Sequence, residues 1–281
     1  MKKLIIITLI TLVSACSQAF GATFSHLYVA GDSMSDTGRS AMIDQLFSTN
    51  YYNQSEASNG PLWPEQLMAS LGKVYQQGDN QAFGGAATYT FQTISNGRLI
   101  TRPGLIDQIN SFQLLDAAHS VFVIWIGHND IARNLDDADS ALATIEQGVA
   151  LLRQKRAKRI VVLGVSDVAA EPAGQQGPDV VSAMDAVVLR FNAALQQYVQ
   201  QKNKQWAGKV QIRYVDTFSL LNSVRATLPY PDGNGWSDPM FVCCHDWSAG
   251  NAYGYWDGVH PTTYEHGQLA QRIKAVIGRM K

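Results

Sequence analysis

The sequence predicts a three-layer α/β/α sandwich built on a parallel sheet of about five strands. Short apolar runs rich in β-branched residues recur along the chain, and each is followed by a turn and a helical spacing of apolar residues. Strands that alternate with helices in this way form a parallel sheet with helices on both faces. Residues 23–281 are expected to form one domain, because the candidate site residues come from both ends of it.

The individual elements follow from the same patterns. The main strands are predicted at residues 24–30, 121–126, 160–165 and 210–215, with a shorter strand around residues 81–83. Helices are predicted over residues 62–71, 105–117, 138–156, 180–202 and 263–280. Residues 228–255 are rich in Gly, Pro, Asn and aromatic side chains and predict a long ordered loop, either functional or packed as a small satellite core.

The N-terminus has the layout of an export signal. Two lysines precede an apolar run over residues 4–13, which is too short to span a membrane. Residues 1–22 are therefore predicted to be a signal peptide, with cleavage after small residues near Gly21, and the mature protein is expected to be secreted or periplasmic. The alternative is an outer-membrane lipoprotein that is lipidated at Cys16.

Composition narrows the function classes. The 22 Lys and Arg residues nearly balance the 23 Asp and Glu residues, so nucleic acid is not an expected partner. The protein is expected to be a monomer. Cys243 and Cys244 are adjacent and would close a strained ring if they paired, so the sequence leaves their redox state open. The spacings typical of zinc sites are missing, and no metal is predicted.

Four short segments predict a serine hydrolase site. They are Gly-Asp-Ser-Met-Ser-Asp-Thr-Gly at residues 31–38, Phe-Gly-Gly-Ala at 83–86, Gly-His-Asn-Asp at 127–130 and Asp-Gly-Val-His-Pro at 257–261. Ser33 is the candidate nucleophile and His260 its general base, because Asp257 lies three residues earlier and can orient the imidazole. The first segment is not the G-x-S-x-G elbow of α/β-hydrolases, which disfavours that fold.

Acyl transfer also needs donors that face the developing oxyanion. The candidates are the backbone N–H groups of Ser33 and Gly85 and the side-chain amide of Asn129. Taken singly, a Gly-Gly pair is often only a turn, and Asn-Asp after a strand is often a helix cap. Asp36 is expected either to order the nucleophile turn through backbone hydrogen bonds or to act as a simple turn residue.

The remaining histidines are less suited to catalysis than His260. His26 is expected to pack in a strand, whereas His119, His245 and His266 are expected to be surface or loop residues. His128 lies inside the third segment, so the sequence alone does not separate it from the site.

In these four segments the chain resembles the GDSL branch of the SGNH hydrolases, which are lipolytic and esterolytic enzymes. The resemblance implies a flavodoxin-like α/β/α fold, Ser33 as nucleophile, His260 as base with Asp257, and Gly85 and Asn129 as oxyanion donors. It leaves open whether Gly84 or Gly85 donates. Met34 replaces the leucine of the family motif, which is a volume-conserving change. No cofactor is implied.

The segments at residues 58–65 and 80–86 are similar to secreted bacterial phospholipases, lysophospholipases and glycerophospholipid acyltransferases. This likeness implies an acyl ester lipid substrate, transient contact with a membrane surface and transfer of the acyl group to water or to an alcohol. The expected substrate-binding residues are Trp236, Phe241, Trp247 and Tyr255. The aromatic loop that contains them is expected to form either an apolar acyl groove or a lid that faces the membrane.

Two alternatives remain open at the level of sequence. One is a carbohydrate O-acetyl esterase, for which Trp63, Trp236, Trp247 and Trp256 would stack on sugars. The other is a non-catalytic protein that keeps the fold and binds lipids or glycans, because a fold alone does not prove an activity.

Overall fold

The computed structural model describes residues 24–45, 52–173, 177–235 and 247–280. The strands are β1 (Leu27–Gly31), β2 (Phe91–Ser95), β3 (Arg98–Arg102), β4 (Val121–Trp125), β5 (Arg159–Leu163), β6 (Gln211–Val215), β7 (Tyr230–Asn234) and β8 (Tyr253–Tyr255). The α-helices are α1 (Arg39–Asp44), α2 (Trp63–Ser70), α3 (Leu105–Ser111), α4 (His128–Arg133), α5 (Ala138–Gln154), α6 (Pro178–Gln205), α7 (Thr217–Arg225) and α8 (Thr263–Ile277). Within these ranges, no helix combines the length and apolarity needed to cross a membrane.

The central sheet is parallel and has four strands in the order β1-β4-β5-β6. These are the four main strands that the sequence predicts. The predicted shorter strand around residues 81–83 is not assigned to the sheet, although it runs along the β1 edge. There the Gln81 N–H donates to the Val29 carbonyl at 2.8 Å, and the Phe83 N–H donates to the Gly31 carbonyl at 3.1 Å.

Helices cover both faces of this sheet, because successive strand side chains point to opposite sides. One apolar core contains Tyr28, Phe122 and Ile160 together with buried residues of α3, α5 and α6. The other contains Val29 and Val123 of the same strands together with buried residues of α2, α7 and α8. The three-layer α/β/α architecture is therefore confirmed.

Helix α3 ends earlier than the sequence predicts. The backbone becomes extended at Phe112, which ends the helix after Ser111. The Phe112 ring then packs against the rings of Tyr28 and Phe122, with centroids 5.2 and 6.1 Å away. Tertiary packing of one aromatic side chain thus overrides the helical pattern of residues 112–117.

The segment predicted as a long loop contains regular structure. Strands β7 and β8 pair in parallel, and the 3₁₀ helix Trp247–Ala252 leads into β8. Cys243 and Cys244 of this segment and the predicted signal peptide at residues 1–22 lie outside the described residues.

Candidate active site

The candidate nucleophile lies directly after β1. Gly31 ends that strand, and a Cβ atom there would lie 2.5 Å from the Trp125 carbonyl oxygen, so only glycine fits between the two strands. The side-chain amide of Gln108 holds the same residue from both sides, because it accepts from the Gly31 N–H at 2.8 Å and donates to its carbonyl at 3.0 Å. The turn that carries Ser33 therefore starts from a fixed point.

Asp36 ties this turn to two other segments. Its carboxylate accepts the N–H groups of Arg39 at 2.6 Å and Ser40 at 3.1 Å, at the start of α1. It also accepts the N–H of Gly84 at 2.7 Å, from the segment that carries the candidate oxyanion glycine. Asp36 thus orders the nucleophile turn through backbone hydrogen bonds and connects it to residues 83–86.

Trp63 supports the nucleophile turn through a hydrogen bond. Its indole Nε1 donates to the Ser35 hydroxyl at 3.0 Å, and the side chain is fully buried. Trp63 is therefore not available as a sugar-stacking surface. Trp256, which the sequence offers for the same role, is 2% exposed.

Ser33, His260 and Asp257 form a continuous chain of hydrogen bonds. His260 Nε2 lies 2.8 Å from Ser33 Oγ, and His260 Nδ1 lies 2.7 Å from Asp257 Oδ2. The nucleophile and the base are 227 residues apart in the sequence. The structure thus brings together the three residues in the arrangement that nucleophilic acyl transfer requires.

Four donors hold the Asp257 carboxylate. Oδ1 accepts the backbone N–H groups of Val259 and His260, each at 2.8 Å. Oδ2 accepts the Tyr52 hydroxyl at 2.9 Å in addition to the His260 imidazole. Tyr52 is a site residue that sequence reasoning missed, because it lies 205 residues from its partner and belongs to none of the four segments.

The electrostatics of this chain favour an ionised Asp257 beside a basic imidazole. Burial raises the pKa of Asp257, but the charge of His260 and the hydrogen bonds lower it to about 2. Burial lowers the pKa of His260, but the charge and hydrogen bond of Asp257 raise it above its ordinary value of 6.5. Burial and the charge of Asp257 raise the pKa of Tyr52, so its hydroxyl remains a donor.

The structure distinguishes between the two candidate oxyanion glycines. The Gly84 N–H is used by Asp36. Gly85 has a φ of +71°, a left-handed conformation that favours glycine, and no hydrogen bond to another described residue uses its N–H. The Gly85 N–H is therefore the better candidate of the two.

Asn129 lies in the first turn of α4, after the end of β4. Its side-chain Nδ2 donates to the Ala86 carbonyl at 3.0 Å, which places the amide beside the glycine segment. The next residue, Asp130, strengthens this connection because its carboxylate accepts the Thr88 N–H at 3.0 Å and the Thr88 hydroxyl at 2.6 Å. The Asn-Asp pair thus does more than cap a helix.

Four further histidines lie among the described residues, whereas His245 lies outside them. His128 is buried, with Nδ1 3.5 Å from Glu171 Oε1, and burial with the charge of His260 lowers its pKa to about 3. His26 precedes β1 and lies 2.8 Å from Asp79, whereas His119 is exposed beside Asp116. The surface prediction for His266 is wrong: it is 1% exposed, because it lies on the face of α8 that packs against the sheet.

The structure places the predicted substrate-binding residues in different surroundings. Trp236 and Phe241 lie outside the described residues, and Trp247 begins the 3₁₀ helix before β8. Tyr255 is 1% exposed, and the Arg225 guanidinium lies 4.1 Å from its ring centroid. The prediction that Tyr255 lines an apolar groove is corrected, because its ring is buried and lies against the Arg225 guanidinium.

The described residues contain no group of three or more His, Cys, Asp and Glu side chains that could hold a metal ion. The arrangement supports acyl transfer in which the Ser33 hydroxyl is the nucleophile, the His260 imidazole is the base and nearby N–H groups stabilise the oxyanion.

Comparison with known proteins agrees with this geometry. Residues 27–273 match the family model described as GDSL-like Lipase/Acylhydrolase. A phosphatidylcholine-sterol acyltransferase of Aeromonas hydrophila is 28% identical over 254 residues, which cover 86% of this chain and 72% of that protein.

Solved structures share the fold at lower identity. A mutant of Axe2, an acetyl-xylooligosaccharide esterase from Geobacillus stearmophilus, superposes with a TM-score of 0.51 at 18% identity, over 92% of this chain and 96% of that one. LAE5, an alpha/beta hydrolase from the metagenome of Lake Arreo, gives a TM-score of 0.50 at 17% identity, over 94% and 99%. With the family model spanning most of its length, the chain belongs to the GDSL-like lipase/acylhydrolase family and is an ester-hydrolysing enzyme.

Proposed function

We propose that this protein is a serine esterase that cleaves fatty acyl esters, most of all phospholipids and lysophospholipids, through an acyl-enzyme on Ser33. The observation that carries the proposal is the hydrogen-bonded chain from Ser33 through His260 to Asp257. Similarity to the phosphatidylcholine-sterol acyltransferase supports a lipid substrate.

The first half of the reaction forms the acyl-enzyme. Ser33 Oγ attacks the ester carbonyl carbon while His260 Nε2 takes the hydroxyl proton. The N–H groups of Ser33 and Gly85 and the Asn129 amide stabilise the resulting oxyanion. The intermediate collapses by breaking the bond to the leaving alkoxide, which receives the proton from His260. Asp257 stays ionised throughout, in agreement with its pKa of about 2.

The second half removes the acyl group by the same steps in reverse. His260 takes a proton from a water molecule or from an acceptor alcohol, whose oxygen attacks the acyl carbonyl carbon. The bond to Ser33 Oγ then breaks, and His260 returns the proton to that oxygen. Water gives a free fatty acid, and an alcohol such as a sterol gives a new ester. Both outcomes use the same site residues, so the acceptor that reaches the acyl-enzyme decides between hydrolysis and acyl transfer.

Location and membrane contact complete the proposal. The N-terminal sequence pattern supports export through a signal peptide, with lipidation at Cys16 as the alternative. Exposed apolar side chains support transient contact with a lipid surface: Ile94 and Leu99 face each other across the β2–β3 hairpin and are 74% and 66% exposed. Mass spectrometry of the mature protein from the periplasm, the medium and the membrane fraction distinguishes cleavage near Gly21 from a lipidated Cys16.

The substrate is tested with the purified mature protein and Ser33→Ala in parallel. Both are incubated with lysophosphatidylcholine, with diacyl phosphatidylcholine with and without a sterol, and with p-nitrophenyl esters from acetate to palmitate. We expect the wild type alone to release fatty acid, and to form steryl ester when sterol is present. Activity confined to acetate esters would instead indicate a carbohydrate O-acetyl esterase, and inactivity on every ester would favour a binding protein.

A further inference from the structure

A buried arginine holds the peptide group between Gly84 and Gly85. Arg102 is the last residue of β3 and is 7% exposed. Its Nη1 donates to the Gly84 carbonyl oxygen, and its Nη2 pairs with Asp44 Oδ2 at 2.9 Å. The Phe83 ring lies under the guanidinium, 5.7 Å from centroid to Cζ. The cation is therefore fixed by three different partners.

The Gly84 carbonyl and the Gly85 N–H belong to one amide group. In a trans peptide these two groups point in opposite directions. Because Arg102 holds the carbonyl from one side, the N–H must point to the other. The guanidinium also lies against Gly85, because a Cβ atom built there would be 3.4 Å from Arg102 Cζ, an ordinary van der Waals distance. The contact thus sets the direction of the Gly85 N–H.

The same contact strengthens that donor. A hydrogen bond from a charged group polarises the amide that accepts it, and polarised amides donate more strongly from the opposite end. The Asp44 side chain is fully buried, so its ion pair with Arg102 lies away from water and holds the guanidinium in one orientation.

We propose that Arg102 is a positioning residue of the oxyanion site, which orients and polarises the Gly84–Gly85 amide so that the Gly85 N–H stabilises the tetrahedral intermediate. The inference rests on the proposed function, because it takes Gly85 as an oxyanion donor. Arg102 does not touch the reacting atoms and acts only through this peptide group.

A second arginine provides the matched comparison. The exposed Arg133 donates from Nη2 to the Gly85 carbonyl at 2.7 Å. That carbonyl belongs to the following amide, whose own N–H, on Ala86, donates to the Phe83 carbonyl at 2.9 Å. Arg133 therefore polarises an amide that does not face the oxyanion, although it lies one residue away.

The test measures transition-state affinity directly. Arg102→Met, Arg102→Lys and Arg133→Met are compared with wild type for kcat/KM on p-nitrophenyl butyrate and for the inhibition constant of an alkyl boronic acid, which forms a tetrahedral adduct with the serine. For Arg102→Met we expect kcat/KM to fall about 10- to 100-fold, mainly in kcat, because a weakened donor costs less than a deleted one. The boronate inhibition constant should rise by the same factor.

One conservative variant and two control variants at other arginines test the specificity of the effect. Arg102→Lys keeps the charge without the planar fork and should recover part of both losses. Arg133→Met should change boronate affinity less than about threefold, since its amide partner faces elsewhere. Arg225→Met, which removes another buried arginine paired with Glu265, should lower the melting temperature without the parallel change in boronate affinity.

The outcomes separate this inference from the proposed function. A wild type without Ser33-dependent esterase activity overturns the proposed function and the inference together. An active wild type whose folded Arg102→Met variant keeps both boronate affinity and kcat overturns the inference alone. If Arg102→Met does not fold, Arg102→Lys and Asp44→Asn carry the test, and unchanged boronate affinity in both of them overturns the inference.

Discussion

His260 and His128 are both buried beside the same site, yet their pKa values move in opposite directions. Burial lowers both, because a charged imidazole loses its hydration. At His260 the charge and hydrogen bond of Asp257, together with the charge of Asp32, outweigh burial and raise the pKa above 6.5, whereas the pKa of His128 falls to about 3. One imidazole can therefore exchange a proton near neutral pH, and the other stays neutral.

The difference originates in the two carboxyl groups. Asp257 lies 2.7 Å from its histidine and accepts three further hydrogen bonds, so it stays ionised despite burial. Glu171 lies 3.5 Å from His128, and burial raises its pKa well above 4.5 in spite of the attraction of Arg225. A buried carboxyl group must itself be held by donors before it can make a histidine basic.

The largest difference in kcat should be the one between variants that lack His260 and variants that lack His128. We expect His260→Ala to lower kcat by about 10⁴- to 10⁶-fold, as loss of Ser33 does, because these residues act as a unit. His128→Asn should cost less than about tenfold, since a neutral imidazole outside the hydrogen-bonded chain takes no proton. Both are measured on p-nitrophenyl butyrate, with circular dichroism to verify folding, and equal losses in the two variants would contradict the comparison.

Substitution of the two carboxyl groups should also affect kcat unequally, with the greater loss at Asp257 and the smaller at Glu171. Asp257→Asn is expected to lower kcat by about 10³- to 10⁴-fold, less than loss of the nucleophile, because Asp257 orients the base and does not react. Glu171→Gln should change kcat by a few-fold at most, because burial favours the uncharged form of Glu171 and glutamine has the same shape. A greater loss in Glu171→Gln than in Asp257→Asn would reverse the assignment.

The pH profile tests the direction of the His260 shift. Only the neutral imidazole can accept the Ser33 proton, so kcat/KM should fall as pH decreases through the pKa of His260. Because that pKa is raised, the acid midpoint should lie above 6.5. If His128 were the base instead, activity would persist to far lower pH. Steady-state rates on a neutral ester in a constant-ionic-strength buffer series distinguish these outcomes.

The smallest effect concerns the fourth donor to Asp257. Tyr52→Phe removes a hydrogen bond from the oxygen that His260 also uses, which leaves more negative charge for the imidazole. We expect kcat to fall about 3- to 10-fold and the acid midpoint to rise.

A tyrosine far from the site serves as the control for Tyr52. Tyr28→Phe loses buried hydroxyl hydrogen bonds to Gln113 and Leu115. It should lower the melting temperature without moving the pH midpoint. A Tyr52→Phe variant with the midpoint and kcat of wild type would show that three donors suffice for Asp257.

Local patterns in the sequence predict most of the fold. Short runs rich in apolar and β-branched residues mark the four sheet strands, and the Asp-x-x-His spacing finds the partner of the base. These patterns miss the β2–β3 hairpin, because its outward residues Ile94 and Leu99 are exposed and obscure the alternation. The signal that could have found it is Asn96-Gly97, where both residues have positive φ, as a two-residue hairpin turn requires.

The supporting contacts could not be predicted in the same way. Arg102 meets Asp44 across 58 residues and Tyr52 meets Asp257 across 205, and no local spacing encodes such pairs. The burial of Tyr255 likewise depends on Arg225, a cation from another element. Sequence motifs thus mark the reacting groups, whereas the groups that orient them come from tertiary packing.

Because the hydrogen bond between Ser33 and His260 joins distant parts of the sequence, esterase activity should report that the domain has folded completely. Closing a contact over 227 residues is entropically costly and belongs to the late, non-local stage of assembly. A chain that has formed its helices and only part of its sheet would hold every reacting group and still lack a competent nucleophile. Labelling of Ser33 by a fluorophosphonate during refolding would therefore follow the final closure of the domain, separately from the growth of its secondary structure.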